Sequence, residues 1–336
     1  MIPLAVAGAR PLSFVDASGY LHDVDGTRLE WWILGDDQWH APAVTPSLRQ
    51  TAVEHSPVIE TSIRVPGGDV VWRVGAAVDG VVLECENRAA IPVAVGLALV
   101  DHRGDVRDLE VFPVTHGTTW RRALHDYTNR NVVELAAVTR GWHTLAARGA
   151  TIVMNDPTTD DALAVARVSL LLHQGALLAA GKKADRAIAG AVANALEYLG
   201  YEDEASDLRS VCKLKPQRKG LPVVAAPSAE WSHDALTLFA DPARAAATVK
   251  AIRDSVVDDS ASGKTIDIAP GFADSWRGAS IDITDLPTNH GNLSFAIRWH
   301  GDKPALLWDA PAPITARAID STFSSSDSKG EVLLTT

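Results

Sequence analysis

A chain of 336 residues, 46% hydrophobic and 22% charged, is long enough for two or three hydrophobic cores. Its formal net charge of −11 repels a phosphate backbone, so nucleic acid is excluded as an expected partner. No apolar run approaches the roughly 20 residues of a membrane span: the longest, residues 170–180, is broken by His173, Gln174 and Gly175.

Residues 1–10 lack the basic start and long apolar stretch of a signal peptide, so the mature chain is expected to begin at or near Met1. Residues 61–65 alternate as a strand. Residues 66–69 (Pro-Gly-Gly-Asp) turn, 70–78 run on, Asp79-Gly80 turn again, and 81–86 return. Further strands are expected over 91–100, 132–138 and 151–154. Short strands without helical periodicity predict a β-sandwich over residues 1–155.

Alanine and leucine at helical spacing then predict an all-α middle over residues 156–260. Thr159-Asp160-Asp161 caps a helix to residue 180, which Gly181 ends. Helices over 183–199 and 202–212 follow, the first ended by Gly200. Lys213, Lys215, Arg218 and Lys219, around Pro216, read as a solvated linker. Helices over 229–239 and 242–257 complete the set, with Asp241 capping the last and Pro242 at its first position. Residues 261–336 return to β, with strands at 265–269, 280–283, 293–299 and 305–308. Turns are expected at Pro287 and at Asn289-His290-Gly291, a serine-rich mobile loop at 321–329, and a last strand at 331–334. The fold class is therefore multidomain β plus α: N-terminal β-sandwich, short all-α middle, C-terminal β-sandwich.

Two short motifs dissolve in context. Asp23-Val24-Asp25-Gly26-Thr27 matches a phosphatase signature, but no buried parallel strand precedes it, so it reads as a hairpin turn. Ser262-Gly263-Lys264-Thr265 ends like a P-loop, yet Asp258 stands where a glycine is needed and a strand follows. The eleven histidines show no ligand spacing, so no metal and no cofactor are expected. Cys85 and Cys212 fall in different predicted domains and read as buried small hydrophobes, as in a reducing cytoplasmic setting.

Tryptophan is more informative. Its ten residues equal phenylalanine and tyrosine together. Flat indoles stack on the apolar faces of sugar rings, and nearby polar groups bond the hydroxyls. Trp31 and Trp32 on one strand must point to opposite faces, so at most one is core. Asp37, Trp39 and His40 follow at once with groups suited to hydroxyl recognition.

Several stretches resemble the β-sandwiches that flank the (α/α)6 barrel of glucoamylase-, trehalase- and rhamnosidase-type glycoside hydrolases. They are Ser56-Pro57-Val58-Ile59-Glu60-Thr61 into Arg64-Val65-Pro66-Gly67-Gly68-Asp69; Val82-Leu83-Glu84-Cys85-Glu86-Asn87-Arg88 into Ile91-Pro92-Val93; and Leu286-Pro287-Thr288-Asn289-His290-Gly291 into the strand ending at Trp299. The likeness covers about half the chain. It implies roughly twelve helices between the sandwiches, and only about five are expected here, so the half carrying the general acid is missing. The helix opened by Ala229-Glu230-Trp231 lies near where the base of such enzymes sits. The resemblance thus makes Glu230 the catalytic candidate, with Trp31, Trp32, Asp37, Trp39, His40 and Trp231 as substrate-binding candidates. The expectation is a carbohydrate-associated protein, inactive alone or completed by a partner subunit or a homo-oligomer, with a glycan ligand. An active hydrolase with its site between sandwich and helices, and an assembly protein without a small-molecule site, are the alternatives.

Overall fold

The computed structural model describes residues 1–78, 80–124, 132–214, 232–259 and 264–335. The chain is mixed β and α, with antiparallel sheets and six α-helices among the described residues. It divides into two compact units, Met1–His143 and Thr144–Thr336.

The first unit contains β1 (Ile2–Leu4), β2 (Ser13–Val15), β3 (Leu21–His22), β4 (Arg28–Gly35), β5 (Gln38–His40), β6 (Arg49–Ala52), β7 (Ile59–Val65), β8 (Gly68–Ala77), β9 (Gly80–Asn87), β10 (Val93–Val100), β11 (Val106–Val114) and β12 (Thr119–Leu124). One sheet has the order β1-β2-β3-β4-β10-β11, with β5 added beside β4; the other runs β12-β9-β8-β7-β6. Ile33, Val95 and Leu97 of the first sheet and Ile59, Ile63 and Leu83 of the second are buried. Cys85 is buried too, and burial pushes its thiol up to about 12, so it stays protonated at neutral pH.

Residues 132–138 do not form the expected strand. Helix α1 (Leu135–Ala146) starts there, because Leu135, Thr139 and Trp142 recur at helical spacing on one buried face. Leu135 packs with Val58 and Val82 on the outer face of the second sheet. Gly75 leaves room for it: a Cβ there would lie 2.8 Å from Leu135 Cδ2. The first N–H of the helix, on Leu135, donates to Glu84 Oε1 at 3.0 Å.

The second unit opens with β13 (Thr151–Val153), followed by α2 (Pro157–Ala180), α3 (Arg186–Tyr198), α4 (Glu202–Val211), α5 (Ala235–Ala240) and α6 (Pro242–Val256). Strands β14 (Val257–Asp258), β15 (Ile266–Ile268), β16 (Ile281–Thr288), β17 (Gly291–His300), β18 (Lys303–Asp309), β19 (Ile314–Ala316), β20 (Asp320–Ser325) and β21 (Lys329–Leu333) complete it. Its sheets have the orders β13-β16-β17-β18-β21 and β14-β15-β19-β20. β13, before the helices, thus shares a sheet with strands that follow them.

Local chemistry sets the helix ends. Asp185 accepts from the N–H groups of Ala187 and Ile188, and Asp241 from those of Ala243 and Arg244. Pro157 takes the first position of α2, three residues before the expected Asp160, whose carboxylate instead accepts from Met154 N. Gly181 ends α2 at φ 56°. Contrary to the expectation from uninterrupted apolar runs, the helical stretch 157–183 is long and apolar enough to cross a membrane by length and composition, but 67% of its most apolar part is buried within the protein, as in a core helix.

Three further expectations are corrected. The serine-rich stretch is not a loop but contributes β20 and the start of β21; β20 pairs with β19, and Phe323 meets the edge of Trp308 at 5.7 Å. Pro287 does not turn the chain: it lies inside β16 opposite Asn292, beyond a register shift that Asp285 takes up at φ 54°. The helix expected over 229–239 is described only as α5, from Ala235, with Asp234 as its cap; residues 229–231 lie outside the described residues, as do Lys215, Pro216, Arg218 and Lys219 of the linker.

On α2, His173 Nε2 donates to the Phe239 carbonyl of α5 at 2.9 Å. Burial lowers its pKa below 6.5, against smaller opposing effects of that carbonyl and of the Asp241 carboxylate. Between the lowered value and 6.5 the unfolded chain binds more protons, so stability falls as pH drops through that window. The melting temperature of the His173→Gln variant is therefore expected to change less between pH 7 and pH 5 than that of the wild type. An equal decrease in both would remove His173 as the source.

Candidate functional site

The alternation of β4 separates its two tryptophans. Trp31 is 1% exposed and stacks on Trp72 of the opposite sheet, with ring centroids 5.2 Å apart and planes 14° apart. It is a core residue of the first unit. Trp32 faces the other way and is half-buried on the outer surface.

Asp36 and Asp37 form the two-residue turn between β4 and β5, both left-handed at φ 52° and 58°. Such a turn fixes register. It pairs Leu34 with Trp39 and Ile33 with His40. Trp39 therefore joins Trp32 on the outer face. His40 shares the inner side with Ile33, and its buried Nε2 has no hydrogen-bond partner among the described residues. Asp37 is exposed at the turn.

Trp39 does not stand up from the sheet. A Cβ placed on Gly96 would lie 3.2 Å from Trp39 Cζ3, 3.4 Å from its Cη2 and 3.7 Å from Trp32 Cε3. Gly96 is on β10, two strands from β5, a lateral separation of about 10 Å at the usual strand spacing. Only an indole extended along the sheet reaches that far. The far end of its six-membered ring lies against Gly96, and the residue stays 52% exposed.

The surface continues across the strands. Trp32, Gly96 and Val111 form one cross-strand row, and Glu30, Ala98 and Leu109 the next. Val111 and Leu109 are 55% and 61% exposed. Arg28 bonds Glu30 at one end of this face. The rim strand β11 is guarded against strand pairing: Asp108 Oδ1 accepts from Leu109 N at 2.9 Å, and Pro113 brings no N–H.

Two cavities lie elsewhere in the first unit. One, about 690 Å³, is lined by Leu29, Leu97, Leu99, Phe112 and Arg122 among others. Phe112 stacks on Trp120 at 3.9 Å, and Arg122 pairs with Glu110. The other, about 430 Å³, carries Glu60, Arg73 and Glu84 beside α1. Two of its carboxylates are engaged: Arg73 bridges Glu60 at 2.7 Å and, outside the lining, Glu86 at 2.9 Å, and Arg121 meets Glu84 at 2.8 Å. Among the described residues no group of three His, Cys, Asp or Glu side chains is placed to hold a metal ion.

Of the sequence candidates, the structure thus brings Trp32 and Trp39 together, with Asp37 at the adjoining turn. Trp31 and His40 point the other way, and Glu230 and Trp231 lie outside the described residues. Gly96, Leu109 and Val111 carry no functional motif in the sequence. The one signal was a glycine inside the apolar run 93–100, a position where another group approaches the backbone closely. No family model, curated protein or solved structure matches the chain.

Proposed function

We propose that this chain is a carbohydrate-associated protein on the sandwich–helices–sandwich plan of the (α/α)6 glycoside hydrolases, with the helical part shortened, and that the Trp39 face holds its glycan. The observation that carries the reading is the indole of Trp39, laid across the sheet to reach Gly96 and still 52% exposed. Pyranose rings stack their C–H faces on such a surface, and the exposed Asp37 carboxylate at its edge can accept from hydroxyls. In this reading helices α2–α6 are the remnant of the barrel, and the chain binds glycan without cleaving it.

An open platform buries one side of a sugar only, so dissociation constants of about 0.1–1 mM are expected, about 4–5.5 kcal/mol of binding free energy. Titration of the full chain against a soluble oligosaccharide panel tests this. Trp39→Ala is expected to weaken binding at least tenfold, about 1.4 kcal/mol, and to leave the melting temperature within a few degrees, because the side chain is half exposed. A wild-type chain that binds no member of the panel, or a variant that binds equally well, overturns the proposal.

A further inference from the structure

We infer that this face takes a flat, linear chain of equatorially substituted pyranoses, a β-1,4-linked ribbon, running across the strands from Trp39 to Leu109, with Gly96 setting the flatness of the platform. The inference rests on the glycan reading above and narrows it to one ligand class.

Extent comes first. The strand order β5-β4-β10-β11 places three inter-strand steps between Trp39 and the Val111–Leu109 edge, about 14 Å of surface. That exceeds one pyranose ring and suits a short oligosaccharide. Composition comes second. The row Trp32, Gly96, Val111 and the residues beside it, Leu34, Ala94 and Ala98, carry no charge. The charged groups, Asp37 at the β4–β5 turn and the Arg28–Glu30 pair, stand at the margins. A ligand must therefore present apolar area along its length and hydroxyls at its sides. Relief comes third. Gly96 removes the one side chain that would lift the indole, and Val111 continues the same row.

These properties select among glycans by stereochemistry. An α-1,4-linked chain coils and offers a flat surface only over short stretches. A β-1,4 chain of all-equatorial rings extends as a ribbon. Its axial C–H bonds point up and down and its hydroxyls point sideways, which matches a neutral strip with polar margins.

Cellobiose, cellohexaose and maltohexaose, titrated calorimetrically into the full chain, test the inference. Cellohexaose is expected to bind at least tenfold more tightly than cellobiose and at least tenfold more tightly than maltohexaose. Gly96→Val is expected to lift the indole and weaken cellohexaose about tenfold. The exposed double variant Leu109→Ser/Val111→Ser, which does not disturb the core, is expected to weaken cellohexaose severalfold and leave cellobiose unchanged. Equal affinity for the two β-linked ligands, equal affinity for maltohexaose, or an unchanged double variant overturns the ribbon while the glycan reading stands. Absence of binding to all three and to every other glycan overturns both readings. So does concentration-dependent self-association that Trp39→Ala abolishes in a chain that binds no glycan, because the face is then an interface between copies.

Discussion

Asp259→Ala is expected to destabilise the protein by about 3–5 kcal/mol, the range for breaking one partner out of a buried ion pair. Arg253 on α6 and Asp259 each expose only 5% of their side chains. Arg253 Nη2 donates to both carboxylate oxygens at 3.1 Å and to the Pro287 carbonyl at 3.1 Å, while Asn289 N donates to Asp259 Oδ2 at 2.6 Å. The guanidinium also lies 4.7 Å from the ring centroid of Tyr198 on α3. One carboxylate therefore satisfies a buried cation and a turn N–H together, tying the end of α6 to the β16–β17 turn.

Arg253 Nε is buried without a hydrogen-bond partner among the described residues, so the cation has little to fall back on when the carboxylate is removed. Asp259→Asn retains an acceptor for Asn289 but not the countercharge, and its cost is expected to fall between wild type and alanine. The double variant Arg253→Met/Asp259→Leu is expected to be more stable than Asp259→Ala, because it buries no lone charge. Urea unfolding measures this: a loss of 3–5 kcal/mol moves the midpoint down by at least about 1 M. An unshifted midpoint for Asp259→Ala, or a double variant less stable than the alanine single, contradicts the account.

The Arg253–Asp259 network and the Trp39 platform show where sequence reading succeeds and where it stops. What succeeded was local. Asp241-Pro242 marks the start of α6 because a carboxylate and a preset φ act within one turn. The adjacency of Trp31 and Trp32 forces them to opposite faces, and the structure has one in the core and one outside. What stayed hidden depends on partners far along the chain. Trp39 meets Gly96 only because β10 inserts beside β4, and nothing between residues 39 and 96 announces that pairing. The sequence predicts a strand where α1 begins because the residues that lead into it, Val132-Val133, are β-branched. The helix is favoured by Glu84, some fifty residues earlier, which receives its first N–H. The serine-rich strand β20 has little apolar pattern of its own and is held by Phe323 against Trp308 of another sheet. In each case tertiary packing outweighs local propensity.

Gly330→Val is expected to be the second large loss, through overpacking. Gly330 pairs directly with Trp308 across β21 and β18. A Cβ at Gly330 would lie 2.3 Å from Trp308 Cζ2 and 2.6 Å from Cη2, so the indole would have to move. It has little freedom to do so. Its Nε1 donates to the Asp327 carbonyl at 2.9 Å, Phe323 meets it edge-on, and it is 8% exposed. Overpacking a fixed site costs about 1–3 kcal/mol. Alanine is expected at the low end of that range, since it adds only the Cβ, and valine at or above the high end. Trp308→Leu removes the obstacle, so in that background Gly330→Ala is expected to cost less than in the wild type, a coupling that a double-mutant cycle reads directly. Gly190, on α3, supplies the opposite sign. Nothing lies within 4 Å of its added Cβ, and Gly190→Ala is expected to stabilise by up to about 1 kcal/mol through helix propensity alone. One substitution type, glycine to alanine, should thus lower the urea midpoint at residue 330 and raise it at residue 190. A midpoint that does not fall at residue 330 would mean that the indole does not rest on Gly330, and one that falls at residue 190 would mean that helix propensity does not govern that site.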